Sequence, residues 1–141
     1  MTPLAALQQA LAGEHAAVYV YGVLGGRVSS SAHPSLATLI RSAYLTHRNR
    51  RDQLTAMVRT AGGEPVAADV SYRLPNRART PDDVTAAARV IERRCAAVYA
   101  ATVASTSRPD RRWAVDALTD SSVRVLSFGG SPDPWPGAGE L

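Results

Sequence analysis

Three ionisable side chains interrupt the apolar stripes of the predicted helices in this sequence of 141 residues: Glu14, His47 and Glu92. A fourth, less regular stripe has Asp120 or Ser121 at a similar place. Buried charges are rare in proteins unless they are paired or bound to a metal. One histidine with two carboxylates can hold iron, manganese or zinc and leave coordination positions open. The residue types therefore indicate a candidate metal site.

A buried ion-pair network is the alternative explanation for the same carboxylates. Arg50 lies on the inner stripe of the second predicted helix, and Arg51 lies beside it. Arg124 is the candidate on the fourth predicted helix. A guanidinium stays charged when desolvated and binds carboxylates bidentately. An arginine could thus occupy the place of a metal ion, and the sequence leaves both explanations open.

Helix start and stop signals define the elements that must position these residues. The clearest start is the run "TPDD", with Thr80 as N-cap, Pro81 at the first helical position and Asp83 three residues after the cap. Paired glycines and prolines mark most of the other ends. We predict helices over about 3–25, 34–61, 81–106 and 109–128, forming one domain over 1–130. The tail, 131–141, is rich in Pro and Gly, and we expect Trp135 to dock it on the body.

The connection lengths predict the topology. Short connections join the first helix to the second and the third to the fourth, which favours two antiparallel hairpins. Residues 63–80 lack helical periodicity and could span about 55–60 Å, whereas a helix of about 24 residues is about 36 Å long. This crossover is therefore long enough to run the full length of a bundle. An all-α four-helix bundle with one long crossover between helices 2 and 3 is the ferritin-like arrangement.

The same topology predicts that the ionisable residues lie at one height. Glu14 is 11 residues before Gly25, and Glu92 is 11 residues after Pro81. His47 is 13 residues after Pro34. At 1.5 Å per residue the three lie within about 3 Å of one level along the bundle. Asp120 and Arg124 reach the same level on the fourth helix.

Several segments resemble a family of small actinobacterial ferritin-like proteins described as a domain of unknown function. They are "LAGEHAAVYVYGVLGGR", "THRNRRDQL", "GGEPVAADVSYRLP", "IERRCAAVYA" and the closing "WPGAGEL". The resemblance covers nearly the whole chain. It implies a ferritin-like bundle, which in di-iron proteins carries a glutamate on each of two helices and a Glu-x-x-His pair on each of the others.

Carried over position by position, the di-iron pattern implies Glu14 and Glu92 as ligands on helices 1 and 3. On helix 2 it implies His47, with Tyr44 where a glutamate should stand. On helix 4 it implies Asp120, with Val123 in place of the histidine. A di-iron pair needs about six ligands, mainly carboxylates with imidazole. The sequence supplies fewer, so the resemblance implies a degenerate di-metal site, with Tyr44 and Arg50 beside it.

Composition limits the remaining function classes. The net charge of +4 comes with 16 arginines and no lysine, and the arginines are scattered without interleaved aromatic residues, which argues against a nucleic-acid-binding role. A single cysteine, no apolar run of about 20 residues and no recognisable leader predict a cytoplasmic protein without a membrane segment. Wide Ala-rich helix faces make a homodimer a further hypothesis.

Three functional hypotheses follow. The first is a non-catalytic or binding protein with a degenerate metal layer at Glu14, His47 and Glu92. The second is a metal-dependent redox enzyme that uses iron or manganese at the same residues. The third is an interaction module that presents an arginine-rich surface to an acidic partner. The residues of this arginine face are Arg48, Arg51, Arg59, Arg89, Arg93 and Arg94. The sequence does not determine a substrate or decide whether the protein is an enzyme.

Overall fold

Four long helices form the molecule, and the prediction of an all-α four-helix bundle is confirmed. The computed structural model describes residues 1–140, so the last residue of the predicted tail, Leu141, lies outside it. The helices are α1 (Pro3–Arg27), α2 (Pro34–Thr60), α3 (Pro81–Ser105) and α4 (Arg108–Ser127), followed by a 3₁₀ turn at Ala138–Glu140. The observed ends lie within two residues of the predicted ones. None of the helices in the described part is both long and apolar enough to cross a membrane.

The helix starts follow from local chemistry. Each helix has proline in its first turn, where the backbone N–H has no helical partner. The hydroxyls of Thr2 and Thr80 accept hydrogen bonds from the amides of Ala5 and Asp83 at 3.2 and 3.1 Å. The Asp83 carboxylate in turn accepts from the amide of Arg79 at 3.0 Å, which anchors the end of the crossover.

The helices pack around the bundle in the order α2, α1, α3, α4. The two hairpins α1–α2 and α3–α4 form the largest contacts, and α1 packs on α3 between them. Helices α2 and α4 face each other across a wider gap, which we call the α2–α4 seam. Two arginines bridge this seam: Arg50 of α2 reaches Asp120, and Arg124 of α4 reaches Thr46.

The apolar core is divided in two. The larger cluster includes Tyr21, Leu24, Ile40, Val84 and Phe128, all almost fully buried. The smaller cluster lies at the other end and is formed by Leu7, Ala10, Leu11, Leu54 and Val58. Glu14 follows Leu11 in α1, and His47 lies between Ile40 and Leu54 in α2, so the polar residues form a layer between the two clusters.

The crossover runs along α1. Gln8 binds the backbone of Glu64 and Val66, and His15 contacts the Val66 carbonyl at 3.0 Å. Further along, the ring of Tyr72 lies 5.5 Å from that of Tyr19. These contacts carry the chain from the end of α2 back to the start of α3, which makes α2 and α3 parallel.

The C-terminal tail packs on α3 through a glycine rather than through its tryptophan. A Cβ atom added at Gly137 would lie only 2.8 Å from Ala97 Cα and 2.9 Å from the Ala96 carbonyl oxygen. Trp135 is 77% exposed, so the expectation that it docks the tail is wrong. A backbone without a side chain can approach a helix more closely than an indole can, and this close approach decides how the tail is held.

Candidate functional site

The predicted residues Glu14, His47 and Glu92 come together in one chain of hydrogen bonds. The Nδ1 atom of His47 lies 2.6 Å from Glu14 Oε2, and its Nε2 atom lies 3.1 Å from Glu92 Oε1. All three side chains are fully buried, with relative exposures of 1% or less. The imidazole therefore sits between two carboxylates, one on each ring nitrogen.

Two tyrosines complete the carboxylate contacts. The Tyr21 hydroxyl donates to Glu92 Oε1 at 2.6 Å, and the Tyr99 hydroxyl donates to Glu14 Oε1. Tyr21 follows Glu14 by seven residues in α1, and Tyr99 follows Glu92 by seven residues in α3. The pairing is thus reciprocal: the tyrosine of α1 binds the carboxylate of α3, and the tyrosine of α3 binds the carboxylate of α1. The sequence analysis missed this reciprocal pairing, although the repeated Glu-x6-Tyr spacing was a usable signal.

The environment favours a doubly protonated imidazole. Burial by itself lowers the pKa of His47, but the charge of Glu14 and the hydrogen bonds with Glu14 and Glu92 outweigh it and raise this pKa to about 9. Burial raises the pKa of Glu92, yet the hydrogen bond and charge of His47 and the hydrogen bond of Tyr21 bring this pKa below its ordinary value. Because both ring nitrogens face carboxylates, His47 donates two hydrogen bonds as an imidazolium.

Helix α4 contributes Ser121 and Arg124 to the layer. Ser121 is fully buried, and its hydroxyl accepts a hydrogen bond from Arg50 at 3.2 Å. Arg124 Nε lies 3.8 Å from Glu92 Oε1, which is an ion pair without a hydrogen bond. Glu92 Oε2 and Arg124 Nε are both buried without a hydrogen-bond partner among the described residues. We call Glu14, His47, Glu92, Ser121 and Arg124 the polar layer.

Asp120 lies at the edge of this layer rather than within it. Its side chain is 44% exposed and binds Arg50 at 2.6 Å and Arg124 at 3.1 Å. Burial raises the pKa of Asp120, but Arg124 and Arg50 outweigh it and hold this pKa below its ordinary value. Val123, the position implied for a histidine, is 54% exposed. On α4 the inward positions are thus one residue further along, at Ser121 and Arg124.

The two residues expected beside the site have different surroundings. Arg50 is buried, spans the α2–α4 seam and lies over the ring of Tyr99 at 5.4 Å. Tyr44 is half-buried against the larger apolar cluster, and Arg48 stacks over its ring at 5.7 Å. Cys95 is buried close to the layer, and burial together with the charges of Glu14 and Glu92 raises the pKa of its thiol. A thiol in this environment is a core residue and not a nucleophile.

The donor set of the polar layer does not fit a di-metal centre. The two carboxylates bind opposite nitrogens of one imidazole, whereas a single ion would need one nitrogen of His47 and both glutamates on the same side. Helix α4 supplies a hydroxyl and a guanidinium, and the positive charge of Arg124 lies 3.8 Å from Glu92 Oε1, where it would repel a cation bound to that carboxylate. Among the side chains that the structure describes, those of residues 1–139, no group of three or more His, Cys, Asp and Glu is arranged to hold a metal ion. Glu92 Oε2 is the one carboxylate oxygen among the described buried side chains that has no hydrogen-bond partner.

The predicted arginine face is not one free surface. Arg51 pairs with Asp52 at 2.8 Å, and Arg89 donates to the Phe128 carbonyl at 2.7 Å. Helices α2 and α3 also make few direct contacts. Arg93 and Arg94 instead line a groove beside the C-terminal tail.

Comparisons with known proteins agree with this fold. A family model described as a domain of unknown function (DUF4439) matches residues 6–140. A conserved hypothetical protein of Mycobacterium tuberculosis, rv2844, has a similar solved structure, with a TM-score of 0.83, 31% identity and coverage of 90% of this chain and 87% of that one.

A ferritin-like, diiron-carboxylate protein of Bacillus anthracis str. Ames has the same fold, with a TM-score of 0.75, 18% identity and coverage of 90% and 92% of the two chains. No curated protein matches the sequence. These comparisons show that this chain has a ferritin-like fold and belongs to the family described as a domain of unknown function (DUF4439).

Proposed function

We propose that this protein is a metal-free ferritin-like bundle with a non-catalytic, binding role. In this proposal the polar layer takes the place of a di-metal centre and organises the core instead of carrying out redox chemistry. The observation that carries the proposal is the position of His47, whose two ring nitrogens both bind buried carboxylates. A metal-ligating imidazole needs a nitrogen with a free lone pair, and an imidazolium has none.

Charge balance supports the same proposal. The layer contains two carboxylates, Glu14 and Glu92, and two cations, His47 and Arg124. Desolvating a carboxylate is costly unless opposite charge and hydrogen bonds compensate for it. The imidazolium, the guanidinium and the two tyrosine hydroxyls supply that compensation without a metal ion. A divalent cation added to this arrangement would face the positive charges of His47 and Arg124.

Elemental analysis by mass spectrometry tests the proposal. The protein is purified without chelator or affinity metal, and a second sample is loaded with ferrous iron under anaerobic conditions and desalted. We expect well under one equivalent of iron, manganese or zinc in both samples. We also expect the same low content in Glu14→Gln, because that carboxylate is not a ligand in this proposal.

One to two equivalents of metal in the wild type, lost in Glu14→Gln, would overturn the proposal. That result would instead support the metal-dependent redox enzyme, and oxygen consumption after iron loading would then be the next measurement. The matched control is His33→Gln, which changes an exposed helix-cap histidine and should leave the metal content as in the wild type.

A further inference from the structure

A groove beside the C-terminal tail is one of the cavities that the described residues outline. It has a volume of about 640 Å³ and lies between α3, α4 and residues 131–139. Small-molecule sites typically have volumes of about 300–1,000 Å³. The polar layer does not line it, so its chemistry is separate from that of Glu14, His47 and Glu92. We call this cavity the tail groove.

The walls of the tail groove combine apolar and cationic surface. Ala96 and Val125, both almost fully buried, form part of the apolar floor together with the half-buried Ala97 and Val98. Arg93 and Arg94 line the same groove from successive positions of α3. Two arginine side chains and an apolar surface therefore line the groove together.

The charges of the groove favour an anion. Neither arginine forms an ion pair with any other side chain that the structure describes. Asp133 also lines the groove, but its carboxylate accepts a hydrogen bond from the Trp135 amide at 2.9 Å. Among the lining side chains that the structure describes, two arginines against one aspartate leave a net positive charge. Guanidinium groups bind carboxylates and phosphates bidentately.

The tail holds the groove in shape. Gly137, with a φ of +74°, brings its backbone onto α3 beside Ala96 and Ala97. Ser131, Asp133 and Pro136 form the wall on the tail side. Because one wall is the docked tail, the groove exists only in the folded chain, and a ligand in it would contact both the bundle and the tail.

We infer that the tail groove binds a small organic anion with an apolar body and a carboxylate or phosphate head. Arg93 and Arg94 bind the head, and the apolar floor of α3 and α4 receives the body. This inference deepens the proposed binding role and rests on it. Its test is independent, because metal analysis reports on the polar layer and ligand titration reports on the groove.

Calorimetric titration with three ten-carbon probes tests the inference. Sodium decanoate carries a carboxylate, decyl phosphate carries a phosphate monoester, and decanol carries no charge. All are used below their aggregation limits, and inorganic phosphate alone is the fourth titrant. We expect saturable binding of at least one of the two anionic probes, weaker binding of decanol and none of phosphate. The ratio of the two anionic affinities distinguishes a carboxylate ligand from a phosphate ester.

Paired variants locate the site. Arg93→Gln with Arg94→Gln should weaken binding of the anionic probe by about 10- to 100-fold, the range expected for hydrogen bonds to charged groups. Arg41→Gln with Arg59→Gln removes the same charge from exposed positions of α2 and should leave the affinity within about twofold, since distant surface charges are screened. In ¹⁵N-labelled protein, the amide shifts should change at Ala96, Ala97 and Ser131.

Three results would overturn the inference: no saturable binding of either anionic probe, equal loss of affinity in the two double variants, or amide shifts confined to other surfaces. All four substituted arginines are exposed, so both double variants should fold. Their thermal unfolding should match that of the wild type.

Discussion

At the scale of single residues, the unusual feature is a histidine held between two carboxylates in the core. His47 receives a hydrogen-bonding partner on each ring nitrogen, and each carboxylate receives a tyrosine hydroxyl as well. A buried charge pair is costly when one partner is removed, because the other is left uncompensated. The network therefore makes the folded state dependent on the protonation of one imidazole.

This dependence predicts a loss of stability in mild alkali. The pKa of His47 is about 9 in the folded protein against an ordinary value of 6.5, so the folded state binds this proton more tightly. The resulting stabilisation is complete below pH 6.5 and is lost as the pH rises through about 9. We expect the free energy of unfolding in urea to fall by about 2 kcal/mol between pH 6 and 8.5.

The pH experiment compares substitutions of an exposed histidine, His33, and a buried one, His47. His33→Gln should keep the alkaline loss of stability, because the exposed His33 has no part in the network. His47→Gln should be less stable by about 3–5 kcal/mol at pH 6 and should lack the pH dependence. If that variant does not fold, the proton-dependent NMR shift of the His47 ring in the wild type gives the same information. A wild-type stability that is constant from pH 6 to 8.5 would contradict this account.

At the scale of the helices, capping determines where each helix begins, and the types of the facing side chains determine how closely neighbouring helices pack. Alanine-rich faces let α1 pack closely on α3, whereas α2 and α4 are bridged by Arg50 and Arg124 across a wider seam. Two N-caps illustrate the local contribution. Thr80 accepts a hydrogen bond from the Asp83 amide, and Ser107 at the start of α4 makes no side-chain cap.

Loss of the Thr80 hydroxyl should therefore destabilise the protein, and loss of the Ser107 hydroxyl should not. We expect Thr80→Ala to lower the free energy of unfolding by about 1 kcal/mol, since one orphan amide of α3 loses its acceptor. Ser107→Ala is the matched control and should change it by less than about 0.5 kcal/mol. Urea unfolding at pH 7 measures both. Equal effects of the two substitutions would show that the hydroxyl of Thr80 does not act as a cap.

At the scale of the whole molecule, a polar layer separates two apolar clusters, and a glycine-mediated contact docks the tail. Gly137 has a positive φ, and the space for its Cβ is already occupied by atoms of Ala97 and Ala100. The tail contact therefore requires glycine for two independent reasons. Because the tail forms one wall of the tail groove, the same contact also maintains the cavity.

We accordingly predict that Gly137→Ala releases the tail while the bundle stays folded. The left-handed conformation alone costs an alanine roughly 1–2 kcal/mol, and the steric overlap adds to this. The heteronuclear NOE values of residues 131–139 should fall, and probe binding in the tail groove should weaken. Gly139→Ala is the control for the NOE measurement, because a Cβ atom there meets open space. Unchanged NOE values in Gly137→Ala would show that the tail is held by other contacts.

The sequence by itself determined the helices, the topology and the identity of the buried ionisable residues. Proline and cap signals act within one helical turn, and the length of the 63–80 crossover limits which helices can be parallel. Counting residues along those helices was enough to bring Glu14, His47 and Glu92 to one level. These features depend on local chemistry and chain length, which are readable from the sequence.

The partners of those residues were decided only by the tertiary structure. Sequence reasoning offered a metal ion or arginines for the carboxylates, whereas the closest contacts are with His47, Tyr21 and Tyr99. The rotation of α4 by one residue, which brings Ser121 and Arg124 inward, depends on how all four helices pack. The exposure of Trp135 depends on the close approach of Gly137 to α3. Rotation and close approach are properties of the packed bundle, and no local signal specifies them.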